Sequence, residues 1–131
     1  MILANQGAQA IFERIKKLIK LTIAITDKLP KTTAAFKIAG QVIDSVTSIG
    51  ANFVEAQSAR SKKEFISVIN ITLREAKETV YWFEIISDTG LFPEVQVKPL
   101  TKEAEELVKI FASTVLTASR SLRDNSNRKN C

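Results

Sequence analysis

Glu55, Glu75 and Glu78 are the residues of this chain whose type and spacing come nearest to chemistry. Histidine is absent from all 131 residues. That removes the commonest general base, the serine and cysteine triads built on it, and nearly every zinc site. The four glycines stand apart at positions 7, 40, 50 and 90, so no glycine-rich loop precedes a helix to cradle a phosphate. Carboxylates are what remains. A di-metal site in a helical bundle pairs glutamates with histidines three residues on, and that half of the ligand set is missing. No enzyme activity, metal or cofactor is therefore expected. The glutamates read instead as part of a polar seam that fixes helix register or the orientation of one subunit against another.

The elements that must position these residues are helices, and two of them carry a second stripe besides the one a bundle core requires. One stripe reads Gln41, Ser45, Ser48, Asn52, Glu55; the next reads Ile71, Glu75, Glu78, Trp82, Ile85. Both keep the four-three spacing that holds side chains on one helical face. A hairpin turning near Ala59 would bring Glu75 beside Ser45 and Glu78 beside Gln41. Trp82 stands between Tyr81 and Phe83, and three consecutive aromatics cover three sides of a helix. At least one must leave the core, and Trp82 is expected to anchor an interface.

Four helices follow from the apolar period, at about 8–29, 33–57, 62–89 and 102–122, in one domain over residues 1–122. In the first, Ile11, Ile15, Leu18, Thr22, Ile25 and Leu29 form one line, with Phe12, Ile19 and Ile23 beside it. The resulting apolar arc of about 200° is wider than one core needs. Pro30 stops this helix. Gly40 and Gly50 interrupt the second at a cost in propensity that close helix approach would explain. Ser61 and Glu64 form a capping box for the third, and Gly90 ends it. Thr101 caps the fourth after a loop containing Pro93 and Pro99. Short connections predict an all-α, antiparallel up-down-up-down four-helix bundle. Residues 123–131 carry no apolar side chain before Cys131 and are expected to be a disordered basic tail.

The net charge of +5 is patchy. Arg120, Arg123, Arg128 and Lys129 against Asp124 give +3 from residue 120 onward, and a second excess near the start includes Arg14, Lys16, Lys17 and Lys20. These eight cations are the candidate contacts to RNA or DNA phosphates. A lone cysteine makes no internal disulfide. No apolar run is long enough to span a membrane, and the opening MILANQG lacks the basic start and apolar stretch of a secretion signal, so a cytoplasmic location and no membrane partner are expected.

Three segments carry a family resemblance: Ser48-Ile49-x-Ala51-Asn52-x-x-Glu55, the helix start Ser61-x-x-Glu64-Phe65, and Glu75-Ala76-x-Glu78-Thr79-x-Tyr81-Trp82. In these, and in the order of its helices over roughly residues 10 to 120, the chain resembles the bacterial four-helix-bundle family of 23S rRNA intervening-sequence proteins. The resemblance implies a homo-oligomeric ring, typically a pentamer, and supplies no catalytic residue. Family members carry one or two arginines just after the glutamine matched by Gln41, where this chain has Ile43 and Asp44. The family name records open reading frames inserted in ribosomal RNA genes, which is a location and not a mechanism. A related branch, the accessory proteins of diversity-generating retroelements, forms similar rings that bind a reverse transcriptase and nucleic acid through basic surfaces. The partners implied are thus further copies of the chain, with RNA or DNA and a reverse transcriptase as the alternative. The function expected is a non-enzymatic, homo-oligomeric scaffold or binding module, with a nucleic-acid-binding accessory of a reverse transcriptase or an rRNA-associated protein as the alternative.

Overall fold

Local signals at the helix ends explain most of the architecture. The computed structural model describes residues 6–129, and among them every regular element is an α-helix. Helix α1 runs Gln6–Thr26, α2 Thr33–Gln57, α3 Lys62–Asp88 and α4 Glu94–Lys129. Thr32 caps α2, its hydroxyl accepting from the Ala35 N–H at 3.2 Å. Ser61 caps α3 by accepting from the Glu64 N–H at 3.1 Å. Glu64 does not complete the expected box on Ser61; its carboxylate reaches back one residue further, to the Arg60 N–H at 2.9 Å. Each such cap satisfies an N–H that the helix itself leaves orphaned. Gly90 follows α3 with φ +72°, the left-handed conformation that glycine adopts without penalty.

Three expectations about the helix ends are corrected. Helix α1 stops at Thr26 rather than near Leu29, and the chain tightens through two i→i+3 bonds, Lys28 N–H to Ile25 and Leu29 N–H to Thr26. Leu29 then turns in and is buried, because Pro30 disfavours helical geometry at the residue before it. Helix α4 starts at Glu94, so the loop read through to Leu100 is short. Pro99 lies inside the helix, without the N–H that would reach back to Val95. The helix persists because Val97 and Leu100 are both buried and continue the core stripe Ala104, Leu107, Phe111, Thr114, Ala118 backward at four-three spacing. At the other end, residues 123–129 are helical where a disordered tail was expected. They extend a helix whose nucleus is already formed, so each adds a hydrogen bond without the cost of starting one. Cys131 lies outside the described residues.

The four helices surround one core. Helix α3 packs along both α2 and α4, and α1 lies against α2 and more sparsely against α4. Phe53, Phe65, Phe83 and Phe111 are its largest fully buried side chains. At one level, Phe12 of α1 stacks on Phe53 of α2 with centroids 6.4 Å apart, and Phe53 meets Phe111 of α4 at 6.1 Å. The two interior glycines of α2 differ. A Cβ added to Gly50 would lie 3.3 Å from Ile19 Cδ1 and 3.5 Å from Ile15 Cγ2, so α1 approaches closely there. Around Gly40 nothing lies within 4 Å, and close approach does not account for it. Gly40→Ala is therefore expected to stabilise the chain by about 0.5–1 kcal/mol through helix propensity, whereas Gly50→Leu should destabilise it by about 1–3 kcal/mol through overpacking. Urea unfolding of the two variants checks both signs.

Candidate functional site

A pair of hydroxyls fixes how α2 lies on α3. Thr79 Oγ1 is 2.9 Å from Ser45 Oγ and 2.8 Å from the Glu75 carbonyl, its single proton shared between them, while Ser45 Oγ donates to the Val42 carbonyl at 3.1 Å. Both residues are buried. This is a correction to the expected pairing: Ser45 meets Thr79, one helical turn beyond Glu75. The reason is burial. Hydroxyls can satisfy one another inside the bundle, whereas a carboxylate at that position would have to be desolvated.

Around that contact the two second stripes flank the outer side of α2 and α3. On α2, Ser48 and Asn52 are half-buried and joined by an Asn52 Nδ2 donation to the Ser48 carbonyl at 2.9 Å, while Gln41 and Glu55 are exposed. On α3, Glu75, Trp82 and Ile85 are half-buried, and Ile71 and Glu78 are exposed. Burial raises the Glu75 carboxyl above the ordinary value, with Glu78 and Asp44 adding like-charge repulsion that Arg74 partly offsets. Asp44 thus makes this face more acidic. Trp82 leans partly on the core, meets Tyr81 edge to face at 4.8 Å, and points its Nε1 toward Glu78 Oε1 at 3.4 Å. Tyr81 is 52% exposed, so two aromatics and Ile71 remain outside the core. No cluster of three or more metal-ligating side chains occurs among the described residues.

The basic candidates separate into two groups. Arg14 is engaged: its guanidinium donates twice to Glu103 of α4, Nη2 to Oε1 at 2.6 Å and Nε to Oε2 at 3.1 Å, and these bonds raise its pKa further. It ties α1 to α4 and is not a free phosphate contact. Lys16 pairs with Glu13 at 2.9 Å and lies 4.8 Å over the Phe12 ring, leaving Lys17 and Lys20 exposed. Arg120, Arg123, Arg128 and Lys129 are all exposed on the last turns of α4. The sequence reading missed what the fold adds to them. Lys62 Nζ donates to Ser121 Oγ, so the α2–α3 turn with Arg60, Lys62 and Lys63 sits against the end of α4. The signal was present as three cations in four residues, but it read as a helix start.

Site and fold together define a histidine-free helical bundle with an acidic-aromatic outer face and one basic end. The chain belongs to the 23S rRNA-intervening sequence protein family, whose sequence pattern it matches over residues 8–113. Among solved structures it is similar to a protein of unknown function of the S23 ribosomal protein family from Bacteroides thetaiotaomicron VPI-5482, at 29% identity and TM-score 0.75, covering 82% of this chain and 96% of that one. No curated protein matches it. No helix among the described residues is long and apolar enough to cross a membrane.

The Ser45–Thr79 contact makes a defined double-mutant cycle. Ser45→Ala and Thr79→Val should each cost about 1 kcal/mol, and the double variant less than their sum by about 0.5–1 kcal/mol, because removing both partners leaves no orphaned hydroxyl. Strict additivity in urea unfolding would show that the two hydroxyls are energetically independent.

Proposed function

We propose that this protein is a non-enzymatic scaffold or binding module that works as a homo-oligomer of antiparallel up-down-up-down bundles. The antiparallel arrangement is supported by the partners that α4 offers along α3: Ser121 beside Lys62, Val108 and Glu105 beside Val80, and Glu94 beside Asp88. The observation that carries the oligomer is the apolar surface left over after the core is filled. On α3 it comprises Ile71, Tyr81, Trp82 and Ile85, on the side that carries Glu75 and Glu78; on α1 it comprises Leu21 and Ile23, 43% and 44% exposed, near Lys16, Lys17 and Lys20. One face is acidic and the other basic, and both carry large apolar side chains. A face that is complementary to a different face of the same molecule gives a head-to-tail contact, which closes into a ring when the rotation allows. The family resemblance sets the expected ring size at five.

Light scattering on the unaltered protein should return the mass of several chains; the mass of one chain would overturn the proposal. Ile71→Glu and Glu78→Lys replace exposed side chains. Each should lower the mass toward that of one chain while the helical circular dichroism is retained.

The basic end of the bundle favours a second reading, a nucleic-acid-binding accessory of a reverse transcriptase of the diversity-generating retroelement type. Co-purification of the chain with such an enzyme encoded beside it is the expected result, and separate elution at micromolar concentration would remove the enzyme from this reading.

A further inference from the structure

Two basic segments of the chain meet at one end of the fold. The α2–α3 turn contributes Arg60, Lys62 and Lys63 against Glu64, and the end of α4 contributes Arg120, Arg123, Arg128 and Lys129 against Asp124. That is +2 and +3, equal to the full +5 of the chain, and the remaining twelve basic and twelve acidic residues cancel. The segments are far apart in sequence and meet at the hydrogen bond from Lys62 to Ser121. None of the seven cations takes part in an ion pair among the described residues, and all but the half-buried Lys62 are exposed.

Stabilising the helix does not explain this accumulation. Cations offset the negative C-terminal end of a helix only within its last turn, which would employ Arg128 and Lys129. Arg120 and Arg123 lie further in, and Arg60, Lys62 and Lys63 lie at the start of α3, where the dipole disfavours positive charge. Keeping five net positive charges together costs self-repulsion, which a polyanion would relieve. Beside them α4 has a shallow hollow lined by Thr117, Arg120, Ser121, Asp124, Asn125 and Arg128. Its hydroxyl and amide groups can donate to phosphate oxygens between the guanidinium groups, and Asp124 is the one acid among them.

We infer that the phosphodiester backbone of a nucleic acid binds across this end of the bundle, contacting Arg60 and Lys63 of the turn together with Arg120, Arg123 and Arg128 of α4. The site excludes Arg14, which Glu103 occupies, and is distinct from Lys17 and Lys20 on α1. It rests on the second reading only in taking nucleic acid as the ligand; it requires neither a reverse transcriptase nor a ring. The contacts are electrostatic and carry no base reading, so affinity should depend steeply on salt and weakly on sequence.

The test is a salt titration of the full chain on a labelled RNA hairpin and on a DNA duplex of equal length. Each phosphate neutralised contributes about 0.7 to 0.9 to the slope of log affinity against log salt. Arg60→Gln with Lys63→Gln should reduce the slope by about 1.5, and Arg123→Gln with Arg128→Gln by a similar amount, while Lys98→Gln with Lys102→Gln, exposed near the start of α4, leaves it unchanged. Comparison of the two probes identifies the better source of the backbone. A flat salt response of the unaltered chain, an unchanged slope after loss of Arg60 and Lys63, or equal competition by inorganic polyphosphate would each overturn the site. Persistence of the predicted slopes without any reverse transcriptase association would sink the second reading alone.

Discussion

The closeness of α1 to α2 at Gly50 is the constraint on which the outer surface depends. With no side chain at that position, Ile15 and Ile19 settle against the α2 backbone, and Phe12 can stack on Phe53 one turn away. The same seating limits what α1 can bury. Its apolar arc is wider than the contact, so Ile15 and Leu18 disappear into the core while Leu21 and Ile23 stay outside. The sparse contact with α4 is completed by a two-pronged bond from Arg14 to Glu103. Being partly solvated, that ion pair fixes the position of α1 more than it adds to stability.

Register between α2 and α3 is set differently, by polar groups inside the bundle. Apolar stripes tolerate sliding by a turn, since one aliphatic side chain replaces another in each hole. A buried hydroxyl does not, because losing its partner costs its desolvation. The Ser45–Thr79 bond therefore selects one register. It leaves Glu75 half-buried within the field of Asp44 and keeps Glu78 in solvent below Trp82. A single interior pair thus decides which acids crowd together on the outside.

The parts of this structure legible in the sequence are those encoded locally. Thr32, Ser61 and Gly90 mark helix ends through bonds to residues three or four positions away. The start of α4 is hidden because Pro93 and Pro99 read as loop residues, although Val97 and Leu100 continue the buried stripe at four-three spacing. The Ser45–Thr79 pairing was hidden for another reason. Helix spacing says which residues share a face, but the offset between two helices depends on how the turn through Ser58 to Ser61 is built. The joining of Arg60 and Lys63 with the end of α4 is likewise a product of topology, and no period along the chain announces it.

The last turns of α4 show how this end of the bundle differs energetically from the rest. Beyond the half-buried Leu122 none of residues 123–129 is buried, and the sequence there is dominated by Asp, Asn and Ser, each about 0.5–0.7 kcal/mol poorer than Ala in a helix. Over about seven residues the overhang spans ~10 Å with little to hold it except continuity with the buried turns at Thr114 and Ala118. Such a segment opens at low free energy. Arg120, Asp124 and Arg128 succeed one another at i, i+4 spacing, so the acid lies between two cations and its attraction to both offsets their mutual repulsion. The helix at this end is therefore held by continuity with the buried turns, where the remainder is held by burial, and the net positive charge it carries makes its stability sensitive to ionic strength.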